Sequence, residues 1–255
     1  MDPVAPPIIV VTDLDGTLLD HDTYSHEAAV PALQLLKRLQ IPVVANTSKT
    51  AAEWLDMRDQ FSNRDPFIVE NGSALIFDHQ TVVLGTPRAE ILQALLPFKE
   101  KYKFRGYADA TLADIVAWTG LPKREAALSA TRDYSEPVLW EDTPEKEAEF
   151  CQKIHALGLT TLRGGRFLHV LGQTDKGKAL NTLRDGQNYI IALGDRPNDQ
   201  AMLEAADTGI AICAPDGSHH LLGKEFLHST LPGPSGWNEM VAPVVLRLYE
   251  DLQAA

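Results

Sequence analysis

Ile8-Ile9-Val10-Val11-Thr12, followed at once by Asp13-Leu14-Asp15-Gly16-Thr17, joins a β-branched run to a carboxylate-rich turn. A short apolar run of this kind is the pattern of a strand buried on both faces of a parallel sheet. The chain then leaves the strand through two carboxylates spaced two apart, so both can project into one region. Gly16 permits a tight backbone turn there. A lone Asp-Gly is ordinary turn chemistry. The whole string behind an apolar strand is far more specific.

Working outward, strand and helix patterns alternate. A helical pattern runs from about Ser25 to Leu39, with Ser25 as N-cap. Pro42 to Ala45 and Phe67 to Val69 read as strands, with a helix starting near Thr50. This alternation predicts a parallel α/β sheet. From Ala74 the pattern changes. Short strand-like runs, Ser73 to Phe77 and Thr81 to Leu84, flank a turn at Asp78-His79. Helices are expected near 88–101, 111–119, 123–130 and 143–157, with strands at 137–140 and 167–171. The parallel pattern resumes with a helix over 178–184, a strand over 189–193 and a helix over 199–206. Gly209 to Cys213 reads as the last core strand. The reading is therefore a Rossmann-like core of residues 1–84 and 173–255, with residues 85–172 as an inserted α+β domain.

Ligands of open α/β sheets bind beyond the carboxyl ends of the strands. Two further strand ends carry reactive residues. Thr47-Ser48-Lys49 follows Val43-Val44-Ala45, and hydroxyls with free N–H groups at a helix start favour an anion. Gly194-Asp195-Arg196-Pro197-Asn198-Asp199 follows Ile190-Ile191-Ala192-Leu193. Its carboxylates are hard oxygen ligands suited to Mg²⁺. Asp175-Lys176-Gly177-Lys178 places lysines at a helix start, against the helix dipole, which suggests a bound anion.

Composition narrows the partners. The 255 residues carry a formal charge of −12 and are 44% hydrophobic and 23% charged. That balance describes an ordinary globular chain. It argues against nucleic acid or an anionic membrane as a partner. A small anionic substrate remains compatible, because a metal ion can supply local positive charge. Cys151 and Cys213 form no zinc pattern or disulfide framework and read as reduced thiols. The first residues lack the basic and apolar regions of a signal peptide, and no apolar stretch approaches a membrane span, so a cytoplasmic location is expected.

In combination these residues resemble the haloacid dehalogenase superfamily of phosphotransferases, whose four motifs appear in order along the chain. Asp13 to Thr17 match its nucleophile motif, Thr47 its phosphate-binding hydroxyl, Lys176 its lysine, and Asp195 to Asp199 its acidic metal motif. Lys178 is a rival to Lys176. The insertion resembles the superfamily's type-two cap. More narrowly, Thr47-Ser48-Lys49-Thr50, Glu70-Asn71-Gly72, Asp133 to Pro137, Gly165 to Val170 and Gly233 to Trp237 look like the mannosyl-3-phosphoglycerate phosphatase family. Arg196 departs from that pattern, standing where a small residue is expected.

The resemblance implies a Mg²⁺-dependent phosphatase. Asp13 would attack phosphorus to give an aspartyl phosphate, and Asp15 would act as acid and then base. Asp13, Asp195 and the Asp15 backbone carbonyl would hold the metal, and Asp199 would orient its shell. Lys176 and Thr47 would hold the phosphoryl oxygens. Ser48, Lys49, Asn71 and Asn198 are candidate substrate contacts. A phosphorylated sugar bearing glycerate offers a carboxylate that suits bidentate arginine, with Arg166 first and Arg163, Arg132 and Lys49 as alternatives. His169, His219 and His220 are expected to be structural or solvated, and Trp237 to pack the C-terminal segment on the core. Rival readings are a sugar-phosphate mutase, a phosphatase of another sugar phosphate, and a non-catalytic sugar-phosphate-binding protein.

Overall fold

A computed structural model of the chain describes residues 8–77, 80–221 and 225–253. In chain order its elements begin with β1 (Ile8–Thr12), α1 (Val30–Arg38), β2 (Val43–Asn46), α2 (Ala51–Met57), β3 (Phe67–Val69), β4 (Ala74–Phe77) and β5 (Gln80–Val83). They continue with α3 (Arg88–Leu95), β6 (Phe104–Gly106), α4 (Leu112–Thr119), α5 (Lys123–Ala130), β7 (Ser135–Trp140), α6 (Pro144–Ala156), β8 (Leu159–Gly164) and β9 (Phe167–Gly172). The last are α7 (Lys176–Asn181), β10 (Tyr189–Gly194), α8 (Gln200–Ala205), β11 (Thr208–Cys213), β12 (Leu227–Pro232) and α9 (Gly233–Gln253).

Contacts divide the chain into two compact units. One comprises Met1–Thr47, Asp65–Ile68 and Asp175–Ala255, the other Ser48–Arg64 and Val69–Thr174. The second unit thus takes in Ser48–Arg64, residues 69–84 and residues 173–174 besides the expected insertion.

In the first unit the parallel strands run in the order β12-β11-β10-β1-β2-β3. β1 lies between β10 and β2, with Val10 opposite both Ile191 and Val43. Val10, Val11, Ile191 and Ala192 are fully buried, which is why these strands read as unbroken apolar runs. The chain leaves β1 towards β2 on one side and returns to β10 on the other. The ends of β10, β1 and β2 therefore flank a topological switch point. Helix α1 buries Ala32 and Leu36, four apart on one stripe. It starts later than expected: the Ser25 hydroxyl accepts from the Glu27 amide before a short 3₁₀ turn over Glu27–Ala29.

Two elements correct the expected C-terminal part. β11 is not the last strand, because β12 pairs with it in parallel. β12 buries only Ser229 of its six residues, so it carries no apolar pattern to recognise. The segment after it is helix α9, which buries Trp237, Val241 and Val245 along one face. Its opening Gly233-Pro234-Ser235-Gly236 and internal Pro243 read as turn residues rather than helix.

The second unit holds an antiparallel sheet of order β6-β7-β9-β8 and the hairpin β4–β5. The expected turn at Asp78-His79 lies outside the described residues. Val138, Leu168 and Val170 pack one sheet face on α3 and α6 through Ile91, Leu95, Phe150 and Ile154. Phe167 on the other face packs with Tyr107, Ile115 and Ala126. β6 and β8 were not anticipated, since Phe104–Gly106 is too short and Leu159–Gly164 too polar to signal a strand.

Candidate active site

The Asp13 amide donates to the Leu193 carbonyl at 2.9 Å, which continues the β1–β10 ladder one residue past the strand. The Thr12 hydroxyl donates to the Asp13 carbonyl at 2.7 Å and accepts from Trp237 Nε1 at 3.1 Å. The C-terminal helix therefore braces the base of this loop, and Trp237 is fully buried. Beyond Asp13 the chain folds back on itself. Gly16 donates to the Leu19 carbonyl at 2.9 Å, and Leu19 to the Leu14 carbonyl at 2.8 Å. Gly16 has φ 82°, and a Cβ there would lie 2.7 Å from Asp195 Oδ2. A side chain here would strain the backbone and displace the Asp195 carboxylate.

The Lys176 side chain is fully buried at the start of α7. Its Nζ lies 2.6 Å from Asp13 Oδ1 and 2.6 Å from Asp199 Oδ1. Asn46 Nδ2 holds the Lys176 carbonyl at 2.9 Å, tying the end of β2 to the same helix. Lys178 is exposed and sits 3.5 Å from Asp175, so the structure brings Lys176 and not Lys178 to the carboxylates.

Asp195 follows β10. Its Oδ1 accepts from the Thr17 hydroxyl at 3.0 Å, and its Oδ2 lies 3.1 Å from Arg196 Nε. Asp199 Oδ2 accepts from the amides of Asp195 and Arg196, each at 3.1 Å. Gly194 leaves room for the Asp199 side chain, against which a Cβ would clash. Arg196, the departure from the family pattern, is half-exposed and paired with Asp195.

Asp13, Asp195 and Asp199 present carboxylate oxygens within 4.8 Å of one another. Burial raises the Asp13 carboxyl well above its ordinary range, and the negative charges of Asp199, Asp195 and Asp15 add to that against the opposing Lys176. Burial and then Asp199 push the Asp195 carboxyl up to about 6. Burial alone would lower the Lys176 ammonium, but Asp13 and Asp199 outweigh it and hold the lysine charged. One lysine does not neutralise these buried carboxylates. An all-oxygen donor set with surplus negative charge fits a hard divalent cation. Asp15 is half-buried beside the cluster in sequence and is not one of its carboxylates.

Thr47 is fully buried at the end of β2, its amide donating to the Ile68 carbonyl at 3.0 Å. Asn198 is half-buried in the turn before α8. The remaining candidates belong to the second unit. Ser48 and Lys49 are half-buried, their carbonyls accepting from Arg132 Nη1 and the Glu70 amide. Arg132 is itself a buried cation, bonded also to the Ser135 hydroxyl at 3.0 Å. Arg166 is exposed and donates to the Trp118 carbonyl, and Arg163 is paired with Glu147. Asn71 is buried with φ 58° between Glu70 at 49° and Gly72 at 87°. The buried Glu70 carboxylate fixes this left-handed run by accepting from the amides of Asp133 at 2.9 Å and Tyr134 at 3.2 Å. Consecutive left-handed non-glycine residues are costly and persist where the surroundings over-determine them.

Residues 10–147 match the family model described as haloacid dehalogenase-like hydrolase. A glucosyl-3-phosphoglycerate/mannosyl-3-phosphoglycerate phosphatase of Methanococcoides burtonii is 37% identical, the alignment covering 93% of this chain and 97% of that protein. The chain belongs to the haloacid dehalogenase-like hydrolase family. Another relative, from Persephonella marina and of the same name, is 34% identical over 92% of this chain and 96% of its own. The solved structure of a haloacid dehalogenase-like hydrolase from Bacteroides thetaiotaomicron superimposes with a TM-score of 0.71 at 17% identity, covering 93% of this chain and 99% of that one. The α/β fold with a Rossmann-like core is thus the fold of this hydrolase family.

Two further residues brace the site, Thr17 through its bond to Asp195 and Asn46 through the Lys176 carbonyl, and neither carries a role in the sequence reading. Thr17 sits inside the Asp13–Thr17 string, which was the available signal. Asn46 had no signal, because its partner is a backbone carbonyl 130 residues away.

Proposed function

We propose that this chain is a Mg²⁺-dependent phosphomonoester hydrolase that works through an aspartyl-phosphate intermediate on a glycosyl-3-phosphoglycerate. The observation that carries the reading is the Lys176 ammonium held 2.6 Å from both Asp13 and Asp199, beside Asp195, at a strand-end switch point. The names of the relatives in Methanococcoides burtonii and Persephonella marina support the substrate class.

Asp13 is the nucleophile. Its carboxylate forms a bond to phosphorus while the bond to the sugar oxygen breaks, and Asp15 gives that oxygen a proton. Asp15, now a carboxylate, takes a proton from the water that attacks the acyl phosphate, which restores Asp13 and releases phosphate. Lys176 and Thr47 hold the phosphoryl oxygens, and Asn198 is a further donor. Mg²⁺, when held by Asp13, Asp195 and the Asp15 carbonyl, supplies positive charge that offsets the phosphoryl oxygens. Asp199 commits its oxygens to Lys176 and to loop amides, so it acts by orienting the others.

The leaving group is read by the second unit, with residues 85–172 as an inserted cap. Ser48, Lys49, Asn71 and Arg166 are its proposed contacts, Arg166 serving the glycerate carboxylate. No helix among the described residues is long and apolar enough to cross a membrane. Cys151 and Cys213 are free thiols, which fits the reducing cytoplasm proposed as its location. The purified protein should be screened with Mg²⁺ against a panel of phosphorylated metabolites. Phosphate release is expected from mannosyl-3-phosphoglycerate first and the glucosyl compound second. Good turnover of a plain hexose phosphate with none of either glycosyl phosphoglycerate would overturn the substrate assignment.

A further inference from the structure

His169 lies in the middle of β9, opposite Pro137 of β7 and Leu162 of β8. It shares a sheet face with Phe167, whose ring it meets edge-on at 6.5 Å between centroids. Its Nδ1 is buried and has no hydrogen-bond partner among the described residues. A neutral imidazole carries one N–H and one bare nitrogen. A buried N–H without an acceptor costs more than a bare lone pair without a donor, so the proton belongs on Nε2. Nε2 points at Gly164, where a Cβ would stand 3.3 Å away. Glycine at that position leaves the edge of the ring uncovered. Gly164 has no left-handed backbone geometry that would demand glycine. Burial, with the charges of Arg132 and Arg163, lowers the imidazole to about 3, so the ring stays neutral at ordinary pH. An Nε2–H on a neutral ring is a donor and takes an oxygen acceptor.

We propose that His169 is a specificity-determining residue whose Nε2–H donates to a hydroxyl or carboxylate oxygen of the leaving group, through the opening that Gly164 leaves. The proposal rests on the phosphatase reading above and adds a named donor to it. A structural histidine would have paired its buried nitrogen or been covered on its other edge; this one does neither.

The test compares His169→Leu, His169→Gln and Gly164→Ala with wild type. Leucine fills the space without a donor, and glutamine returns an N–H close to the Nε2 position. Alanine at 164 covers the ring edge while leaving His169 in place, at an exposed strand end. For each, kcat/KM is measured on the preferred sugar phosphate and on an aryl phosphate lacking sugar and glycerate. Loss of one hydrogen bond to the substrate predicts that the ratio of the two falls by about tenfold in His169→Leu, mostly through KM. Gly164→Ala should lower it in the same direction, and His169→Gln should restore it to within about threefold of wild type. A ratio unchanged in both His169→Leu and Gly164→Ala, or equal losses on both substrates, would overturn the proposal. If His169→Leu does not fold, Gly164→Ala and His169→Gln decide the matter. Wild type that releases phosphate from no sugar phosphate would instead overturn the phosphatase reading, and this inference with it.

Discussion

Asp13, Lys176 and Asp199 show how burial within a few ångströms couples ordinary side chains: Lys176 Nζ lies 2.6 Å from both carboxylates. The same lysine on the surface, like Lys178 beside Asp175, would contribute almost nothing. Buried between two carboxylates it fixes both. Single residues of the second unit should tune substrate choice. Arg166→Ala should reduce kcat/KM for the sugar phosphoglycerate about thirtyfold more than for an aryl phosphate, the cost of one charge-assisted contact. Equal losses would assign Arg166 to its bond with the Trp118 carbonyl alone. His169 carries a pH signature as well. Its imidazole falls from 6.5 to about 3 on folding. Between those values the unfolded chain holds a proton that the folded chain does not, so stability rises with pH across the window and is lost as pH falls. His169→Gln should flatten that slope by up to roughly 1.4 kcal/mol per pH unit, read from urea unfolding at several pH values. An unchanged slope would contradict the neutral, buried ring.

At the scale of elements, β1, β2, β3 and β10 were legible because both of their faces are buried, and the site loops follow directly from their ends. Helix α2 was legible from Thr50, whose hydroxyl accepts from the Glu53 amide at 3.1 Å while Glu53 returns a bond to the Thr50 amide at 2.8 Å. Removing that reciprocal cap in Thr50→Ala should destabilise the protein by about 1–2 kcal/mol, seen as a lower denaturation midpoint. No shift would mean that the helix is held by packing alone. β8, β12 and α9 were not legible, for a common reason. Their own composition is polar or rich in turn residues, and each is held by a partner: Thr12, far off in sequence, for Trp237, and the neighbouring β9 across the Gly165-Arg166 turn for β8. The left-handed run at Glu70-Asn71 was hidden likewise, because its brace is the segment 133–135.

For the whole molecule, a net charge of −12 and a buried carboxylate cluster call for a cation before an anionic substrate can be held. Activity should vanish with a chelator and return with Mg²⁺. Ca²⁺ should support it poorly, since its larger and looser coordination shell misaligns the reacting groups. Full activity in metal-free protein would refute the role given to Asp195. The covalent mechanism itself is tested most directly by phosphate release from Asp13→Asn with Mg²⁺ present, beside wild type. Asparagine keeps the shape of Asp13 and removes its attacking charge. The mechanism predicts a fall of at least about a thousandfold, the several kcal/mol that the covalent route contributes; turnover within about tenfold of wild type, a barrier change of under ~1.4 kcal/mol, would contradict it.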